Sequence, residues 1–326
     1  MDEAEVIARL RRMATAPEAR GLLDDAALID GLVITHDSIA EGVHYLPGDP
    51  PESVGWKLVA VNLSDLAAKG AAPRGALLSI TLNGDGAWES GFLDGIETAC
   101  AAYDLALLGG DTIALPAGAP RVLGMTALGR AGSQVPDRAG AADGDALWLV
   151  GTLGDAAAGL AQLREDPGAT GTLVEAYRRP LPLLAEGQAL APHAKAMMDV
   201  SDGLLLDARR LALASRCAIE IDLDAIPLSS AFLALRGTSA EARMFAATGG
   251  DDYALLAALS ASFDPSTLSL PPSARVTKIG RIAFGDPEIR VVSNGHPLAL
   301  PEHLGHEHRP SAAAPPNAAS PITDRN

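Results

Sequence analysis

The sequence predicts an α/β protein in which helices and sheets form α+β layers in two domains. Three observations predict this fold. The chain has 326 residues, about the length of two domains. Both halves mix short apolar strands with segments of helical apolar spacing. A loop rich in glycine, proline and alanine, residues 130–144, separates the halves. We therefore place domains at 1–140 and 141–308, and expect the tail 309–326 to be disordered.

The composition excludes several classes of function. Lys and Arg total 25 against 41 Asp and Glu, a formal net charge of −16. Binding to nucleic acid phosphates, or to an anionic membrane surface, needs the opposite balance. The sequence contains no apolar run that could span a bilayer, and its acidic N-terminus does not resemble a secretory signal. We expect a cytoplasmic protein with no nucleic acid or membrane partner.

In the first half, the apolar pattern predicts helices alternating with strands. The strongest helical pattern places Val54, Leu58, Val61 and Leu66 on one face and stops at Gly70, a typical position for a C-cap. The predicted helices are 2–14, 52–69 and 87–103. The predicted strands are two within 28–38, turning at Asp30-Gly31, and 76–82, 105–108 and 122–128, with the 105–108 strand ending in Gly109-Gly110.

The second half continues the same alternation. Strands are predicted at 146–150, 195–200, 218–223, 253–259, 276–281 and 289–292. Helices are predicted after 151–154, at 171–178, 182–191 and 203–215, and in a stretch that leads to Gly249-Gly250. The glycine turn at 151–154 could bind a phosphate on helix N–H groups. Short turns of this kind are common, however, so we favour a structural role for it.

Several carboxylates occupy positions that are unusual for surface acids. Asp65 lies inside the apolar helix, and the others adjoin predicted strands or glycines: Asp24, Asp25, Asp37, Asp111, Asp199, Asp202, Asp251 and Asp252. A buried carboxylate without a partner is costly, and Mg²⁺ prefers oxygen ligands. The pattern indicates a multi-metal carboxylate site that acts on a phosphate-bearing ligand. The alternative is that single residues cap helices and turns, which does not explain Asp65.

Other common catalytic patterns are missing from the sequence. It has no P-loop sequence, no protein-kinase catalytic loop and no Gly-x-Ser-x-Gly. Its two cysteines, Cys100 and Cys217, have the spacing of neither a zinc site nor a disulfide framework, so we expect two reduced thiols.

Six short blocks occur in a characteristic order between about residue 20 and about residue 300. They are Leu23-Asp24-Asp25-Ala26-Ala27, Thr35-His36-Asp37 with Glu41-Gly42-Val43-His44, the run Asn62-Leu63-Ser64-Asp65-Leu66-Ala67-Ala68, Gly109-Gly110-Asp111-Thr112, Asp199-Val200-Ser201-Asp202-Gly203-Leu204 and Gly249-Gly250-Asp251-Asp252-Tyr253. In this order they resemble the thiamine-monophosphate kinase family, part of the aminoimidazole ribonucleotide synthetase-like superfamily.

The resemblance implies a fold, a reaction and partners. The fold would be an N-terminal domain that binds ATP and Mg²⁺ and dimerises, with a C-terminal α/β domain covering the site. The reaction would convert ATP and thiamine monophosphate to ADP and thiamine diphosphate by direct in-line transfer, without a phosphoenzyme. Several Mg²⁺ ions would assist, and a need for K⁺ is left open. The partners would be ATP, thiamine monophosphate and a second copy of the chain.

The resemblance also assigns residues to roles. The metal positions are Asp25, Thr35, His36, Asp37, Asp65, Asp111, Asp199 and Asp202, of which Asp65 and Asp202 are the expected catalytic pair. The nucleotide positions are Tyr103, Gly110, Asp111, Arg138 and Ser201. The substrate positions are His44, Asp251 and His306.

Four positions depart from the family pattern: Leu23, His36, Ala254 and His306. Leu23 stands where glycine is usual, and Ala254 where glutamate is usual. His306 would replace a stacking aromatic residue. Since successive strand side chains alternate between faces, the His36 side chain should point away from those of Thr35 and Asp37. The competing interpretation is that its imidazole binds a softer metal.

Two further hypotheses stay open. The chain could be another ATP-dependent enzyme of the superfamily, although no cysteine near the N-terminus suits a selenophosphate synthetase. It could also be a catalytically weak nucleotide-binding protein, although such a protein has no reason to retain clustered buried charge.

Overall fold

The computed structural model describes residues 3–307 and contains two sheets, each packed against helices. The predicted fold class is confirmed. The predicted tail 309–326 and the first residue of the predicted helix 2–14 lie outside the described residues. Within 3–307, no helix combines the length and the apolar character that crossing a bilayer requires.

The elements alternate along the chain as follows. The helices are α1 (Glu3–Arg11), α2 (Pro51–Ala68), α3 (Gly86–Ala102), α4 (Asp155–Glu165), α5 (Thr172–Arg178), α6 (Leu184–Leu190), α7 (Leu204–Ser215), α8 (Ser230–Arg236) and α9 (Ala240–Thr248). The strands are β1 (Ala27–Ile29), β2 (Leu32–Ala40), β3 (Ala72–Leu82), β4 (Ala106–Ala114), β5 (Val122–Arg130), β6 (Ala146–Val150), β7 (Ala196–Val200), β8 (Ala218–Asp222), β9 (Ala254–Leu259), β10 (Val276–Ala283), β11 (Ile289–Ser293) and β12 (His296–Leu298).

The first sheet has the order β1-β2-β5-β3-β4, with β3 and β4 parallel and the other pairs antiparallel. Helix α2 packs on this sheet and on α3, and also contacts α6 and β7 of the second half. Because it is covered on several sides, α2 is buried almost all round, including its polar residues Lys57, Asn62 and Asp65. Polar groups in such a helix need partners, and these partners form the site described below.

The second sheet has the order β12-β11-β8-β10-β6-β9-β7. Every residue of β6, β7 and β9 is buried, which is typical of strands covered on both faces. One apolar cluster includes Leu149 and Phe232, and a second cluster includes Trp148 and Leu190. Strand β7 borders α2, so Asp199, which it carries, lies against the first half of the chain.

The structure corrects the prediction for β4. The strand does not end at the two glycines but continues through them to Ala114, so Asp111 lies within a strand, opposite Ser79 of β3. A Cβ atom on Gly110 would lie 1.8 Å from the Leu78 carbonyl oxygen. Gly110 therefore allows β4 to pair closely with β3, at the position where sequence analysis expected the strand to end.

Smaller differences concern helix ends and one short strand. The predicted helical stretch before Gly249 is divided into α8 and α9 at Gly237, which has φ 73°. Helix α6 begins at Leu184, two residues later than predicted, and β12 was not predicted. Gly70 has φ 60° just beyond α2, which confirms the predicted C-cap region.

Candidate functional site

A cavity of about 830 Å³ is lined by residues from both halves of the chain. Most of the predicted site residues line it: Asp25, His36, Asp37, His44, Asp65, Arg138, Asp199, Ser201, Asp202, Asp251 and His306. The structure thus brings together acids that are separated by more than two hundred residues of sequence.

Three carboxylates form the centre of the site. Asp25 precedes β1, Asp65 lies in α2 and Asp199 lies in β7. One oxygen from each lies within 4.8 Å of the others. The Thr35 hydroxyl donates a hydrogen bond to Asp65, and the Ser64 hydroxyl donates one to Asp199 Oδ2 at 2.6 Å. These hard oxygen donors, close enough to share an ion, fit Mg²⁺.

Burial and mutual repulsion disfavour the ionised forms of this cluster. Burial, together with the charges of Asp37 and Asp199, raises the pKa of Asp65 well above its ordinary value. Burial and the nearby Asp25 raise the pKa of Asp199 to about 8, and the same two causes raise the pKa of Asp37 to about 6. A bound divalent cation would offset these costs, because it supplies the missing positive charge.

Asp25 has a different environment from the other two acids. Arg138 Nε donates to Asp25 Oδ1 at 2.8 Å, and Lys69 Nζ lies 2.7 Å from Asp25 Oδ2. Burial acts to raise the pKa of Asp25, but the two cations outweigh it and hold that pKa below its ordinary value. Lys69 also contacts Asp24 and donates to the Met197 carbonyl oxygen at 2.9 Å.

Asp207 fixes the loop that presents Ser201 and Asp202. Its Oδ2 accepts hydrogen bonds from the backbone N–H groups of both residues, at 3.1 and 3.0 Å. Arg210 Nη1 bridges Asp207 Oδ1 at 2.7 Å and Asp202 Oδ2 at 2.6 Å. Burial raises the pKa of Asp207 to about 6, against the opposing charge of Arg210. Asp202 therefore lines the cavity on a loop whose backbone is held by hydrogen bonds to Asp207.

The predicted substrate residues His44, Asp251 and His306 all line the cavity. Lys57 Nζ lies 2.7 Å from Asp251 Oδ2, and the Tyr253 hydroxyl donates to Asp251 Oδ1 at 3.1 Å. Lys57 also donates to the His44 carbonyl oxygen at 2.9 Å. The backbone N–H of His306 donates to the Asp202 carbonyl oxygen at 2.9 Å, so the chain after β12 packs against the acidic loop.

His36 is exposed on β2 between the buried Thr35 and the half-buried Asp37, and it lines the same cavity as Asp37. Its imidazole is exposed and its Nδ1 lies 2.9 Å from Thr126 Oγ1. Thr35 is buried and bonded to Asp65, and the N–H of the half-buried Asp37 donates to Asn62 Oδ1 at 3.0 Å. The contact with Thr126 gives no support to a metal-binding imidazole.

Four predicted nucleotide or metal residues do not line the cavity: Thr35, Tyr103, Gly110 and Asp111. Thr35 is connected to it through its hydrogen bond to Asp65. Tyr103 packs against Trp56, with ring centroids 5.6 Å apart. Gly110 and Asp111 lie in the exposed strand β4 at the edge of the first sheet. Their roles remain predictions.

The turn at 151–154 has a structural role. Asp252 accepts hydrogen bonds from the N–H groups of Gly154 at 2.7 Å and Ala156 at 3.3 Å. This carboxylate satisfies N–H groups at the start of α4 that a phosphate would otherwise use. Asp252 therefore caps α4. This agrees with the alternative interpretation in Sequence analysis, in which single aspartates cap helices and turns.

Sequence analysis identified Arg138 but missed three other cations around the site. Lys57 and Lys69 are almost wholly buried, and Arg210 orders the Asp202 loop. The sequence did contain a signal for the two lysines. Lys57 lies within the mainly apolar helix α2 and Lys69 just after it, and the same helix carries the predicted metal ligand Asp65. Such lysines need anionic partners when the helix is buried.

Comparison with known proteins shows which family this chain resembles. Residues 23–131 match the N-terminal domain and residues 142–263 the C-terminal domain of the AIR synthase related protein family. The chain is 38% identical over 310 residues to the thiamine-monophosphate kinase of Caulobacter vibrioides, covering 87% of this chain and 85% of the relative.

The chain belongs to the thiamine-monophosphate kinase family.

Two solved structures show how far this likeness extends in three dimensions. A structure described as AaThiL complexed with AMPPCP and TMP superposes with a TM-score of 0.81 at 30% identity, covering 94% of this chain and 97% of the other. A thiamine-monophosphate kinase from Stenotrophomonas maltophilia gives 0.72 at 37% identity, covering 90% and 95%. This member of the thiamine-monophosphate kinase family therefore shares its fold with them over nearly the whole chain.

Proposed function

We propose that the protein transfers the γ-phosphoryl group of ATP to thiamine monophosphate, giving ADP and thiamine diphosphate. The observation that carries this proposal is the cluster of Asp25, Asp65 and Asp199, with oxygens within 4.8 Å, in a chain of this family. Phosphoryl transfer depends on positioning and charge neutralisation more than on covalent chemistry by the protein.

Divalent ions, Mg²⁺ in the first place, would be held by acids that line the cavity, with the Thr35 hydroxyl beside them: Asp25, Asp37, Asp65, Asp199 and Asp202. Such ions neutralise charge on the transferred phosphoryl group and on the attacking and leaving oxygens. Asp65 is the proposed common ligand, because it is buried, is repelled by the charges of Asp37, Asp199 and Asp25, and has an oxygen within 4.8 Å of oxygens from Asp25 and Asp199.

The attacking group is an oxygen of the substrate's own phosphate. That oxygen is deprotonated at neutral pH, so the protein does not need a general base. The phosphate oxygen forms a bond to the γ-phosphorus while the bond from that phosphorus to the β–γ bridging oxygen breaks, and ADP leaves. Arg138 and Ser201 line the same cavity and are our candidates to contact the phosphates of ATP.

The thiamine portion is assigned to the end of the cavity at His44, Asp251 and His306. Lys57 holds the Asp251 carboxylate in place, and Tyr253 donates to its other oxygen. His306 lines the cavity beside Asp202 and is our candidate to stack on the substrate. Tyr103, Gly110 and Asp111 keep their predicted nucleotide and metal roles only as expectations. The same applies to the K⁺ requirement and to cytoplasmic location.

We also propose a homodimer formed through the first sheet. The edge strand β4 is exposed along its whole length, and large apolar side chains are exposed on it and on its neighbours: Leu77, Leu107, Leu108, Ile113 and Val122. A second copy would cover these side chains, and closed two-fold dimers are the commonest assembly.

The test of the proposed activity is an assay of products. Purified protein is incubated with ATP, Mg²⁺ and thiamine monophosphate, and thiamine diphosphate is separated by chromatography. We expect thiamine diphosphate to appear in equal amount to ADP. Formation of ADP without thiamine diphosphate would point to another reaction of the superfamily, and formation of neither to a nucleotide-binding protein.

A further inference from the structure

Arg210 is an arginine of α7 that lines the cavity beside the acidic loop. Its Nη1 pairs with Asp202 Oδ2 at 2.6 Å and with Asp207 Oδ1 at 2.7 Å. The Asp207 side chain is fully buried, whereas that of Asp202 is 20% exposed and that of Arg210 is 32% exposed. The guanidinium is thus fixed by one buried acid and by one acid that lines the cavity.

The guanidinium has donors that these ion pairs do not use. Both pairs are made by Nη1, which leaves the N–H groups of Nε and Nη2. Among residues 3–307, no protein group accepts a hydrogen bond from either of these nitrogens. A guanidinium presents its donors as a planar, rigid fork, and this geometry matches the oxygens of a phosphate group. Arg210 therefore has the unused donors that phosphate binding requires.

The position of Arg210 suits a phosphate group that divalent ions hold. Arg210 contacts Asp202 directly, and Asp202 is one of the acids proposed to hold these ions. Burial raises the pKa of Asp207 to about 6, and the charges of Arg210 and Arg138 both act to lower it. Arg138, the predicted nucleotide residue, thus acts on the same buried carboxylate as Arg210, and both arginines line the cavity.

We propose that Arg210 binds a phosphate group of the nucleotide through Nε and Nη2, while Nη1 stays paired with Asp202 and Asp207. Its contact with Asp202 places the guanidinium beside the acids that hold the ions. Its contact with Asp207 fixes the side chain before the nucleotide arrives, so less side-chain entropy is lost on binding. The inference rests on the proposed function in that the cavity is taken to bind ATP. It does not depend on which acceptor is phosphorylated.

The competing role for Arg210 is to order the loop, because Asp207 also accepts hydrogen bonds from the backbone N–H groups of Ser201 and Asp202. Arg210→Lys separates the two roles. A lysine keeps a positive charge for Asp202 and Asp207, so we expect the variant to fold with the circular dichroism spectrum and melting temperature of wild type. Its single ammonium lacks the fork that would reach a phosphate group at the same time.

Calorimetric titration with the β,γ-methylene analogue of ATP, in the presence of Mg²⁺, measures nucleotide binding without turnover. We expect the Kd of Arg210→Lys, and that of Arg210→Gln, to exceed the wild-type value by about tenfold or more, since hydrogen bonds between charged groups are lost. The KM for ATP should rise with the Kd, whereas the KM for thiamine monophosphate should not.

Arg209→Lys is the matched control. Arg209 is the preceding residue of α7, is exposed and does not line the cavity. The same chemical change there should leave the Kd of the analogue and both KM values as in wild type.

A Kd within about threefold of wild type in Arg210→Lys would overturn the proposal, because binding would then need only a positive charge and not the fork. A rise confined to the KM for thiamine monophosphate would place the contact on the phosphate of the acceptor and overturn the assignment to the nucleotide. Equal rises of both KM values, or loss of folding in both Arg210 variants, would show that Arg210 only orders the loop and would overturn the proposal as well.

The same measurements separate this inference from the proposed function. A wild-type protein that binds the analogue and makes thiamine diphosphate, with unchanged binding in the Arg210 variants, refutes the role of Arg210 alone. A wild-type protein that neither binds the analogue nor makes thiamine diphosphate refutes the proposed function.

Discussion

Lys57 Nζ lies 2.7 Å from Asp251 Oδ2, and this ion pair joins helix α2 to the loop before β9. The lysine is 2% exposed and the aspartate 27%, and the ammonium also lies 4.1 Å from the centre of the Tyr177 ring. The pair connects the two halves of the chain at a residue that lines the cavity, Asp251. It also fixes Asp251, whose φ of 68° is unusual for a residue other than glycine.

Lys57→Met should destabilise the protein by about 2–3 kcal/mol, because it leaves a largely buried carboxylate without its cation. Urea denaturation with and without the substitution measures this loss. Lys195→Met removes an ion pair near the surface and should cost less than about 1 kcal/mol. Equal losses in the two variants would show that the pair with Asp251 is not a structural link.

Asp65→Asn should abolish turnover while the protein stays folded. A common metal ligand supplies several kcal/mol of transition-state stabilisation, so we expect kcat/KM to fall about a thousandfold or more, about 4 kcal/mol. The melting temperature in EDTA should not fall, because the substitution removes a buried, uncompensated carboxylate. Asp264→Asn, at a fully exposed carboxylate, is the control. A variant that keeps a tenth of wild-type kcat/KM would contradict the metal assignment.

Stability without divalent ions should fall as the pH rises. The pKa of Asp37 is raised to about 6 and that of Asp199 to about 8, mainly by burial. Between pH ~4 and pH ~8 the folded protein retains protons that the unfolded chain has released. Unfolding then releases protons, so its free energy decreases with pH over this range and levels off above it.

Denaturation in EDTA at intervals between pH 5 and pH 9 measures this slope. Mg²⁺ should reduce it, and should stabilise the protein most at the alkaline end, where the acids are ionised. Stability in EDTA that increases from pH 5 to pH 8 would contradict the assignment of these acids as an uncompensated cluster.

The wild-type chain should have twice its 33.4 kDa mass in light scattering at micromolar concentration. Leu108 is 60% exposed on β4, so Leu108→Asp places a charge on the proposed interface and should give a monomer. Leu235→Asp, at a 49% exposed leucine of α8, should remain dimeric. A wild-type protein with the mass of one chain would contradict the proposed assembly.

The sequence predicted the order and type of most elements because the apolar periods are clear, as in α2 and β6. The burial of Thr35 beside the exposed His36 agrees with alternation along β2, which is a local property of a strand. Continuation of β4 through Gly109-Gly110 could not be predicted locally, because it depends on the close approach of Gly110 to Leu78 in a neighbouring strand.

The acids of the site were found from sequence because they recur beside glycines and strand ends. Their partners were not, because each contact joins distant parts of the chain: Lys69 to Met197, Lys57 to Asp251 and Arg138 to Asp25. Asp252 was grouped with the site acids on its sequence position, although it caps α4. The sequence alone could not show that Asp252 is a helix cap, because the residue lies about a hundred positions after the start of α4, which it caps.

The comparison of thiamine monophosphate with thiamine as acceptor tests the central claim most directly. Each is incubated with ATP, Mg²⁺ and the purified protein, with Asp65→Asn in parallel, and ADP and thiamine diphosphate are quantified together. We predict equal amounts of ADP and thiamine diphosphate from thiamine monophosphate, and neither product above the Asp65→Asn background from thiamine, since an alcohol cannot replace the attacking phosphate oxygen. Comparable ADP release with thiamine as the sole acceptor would contradict the account.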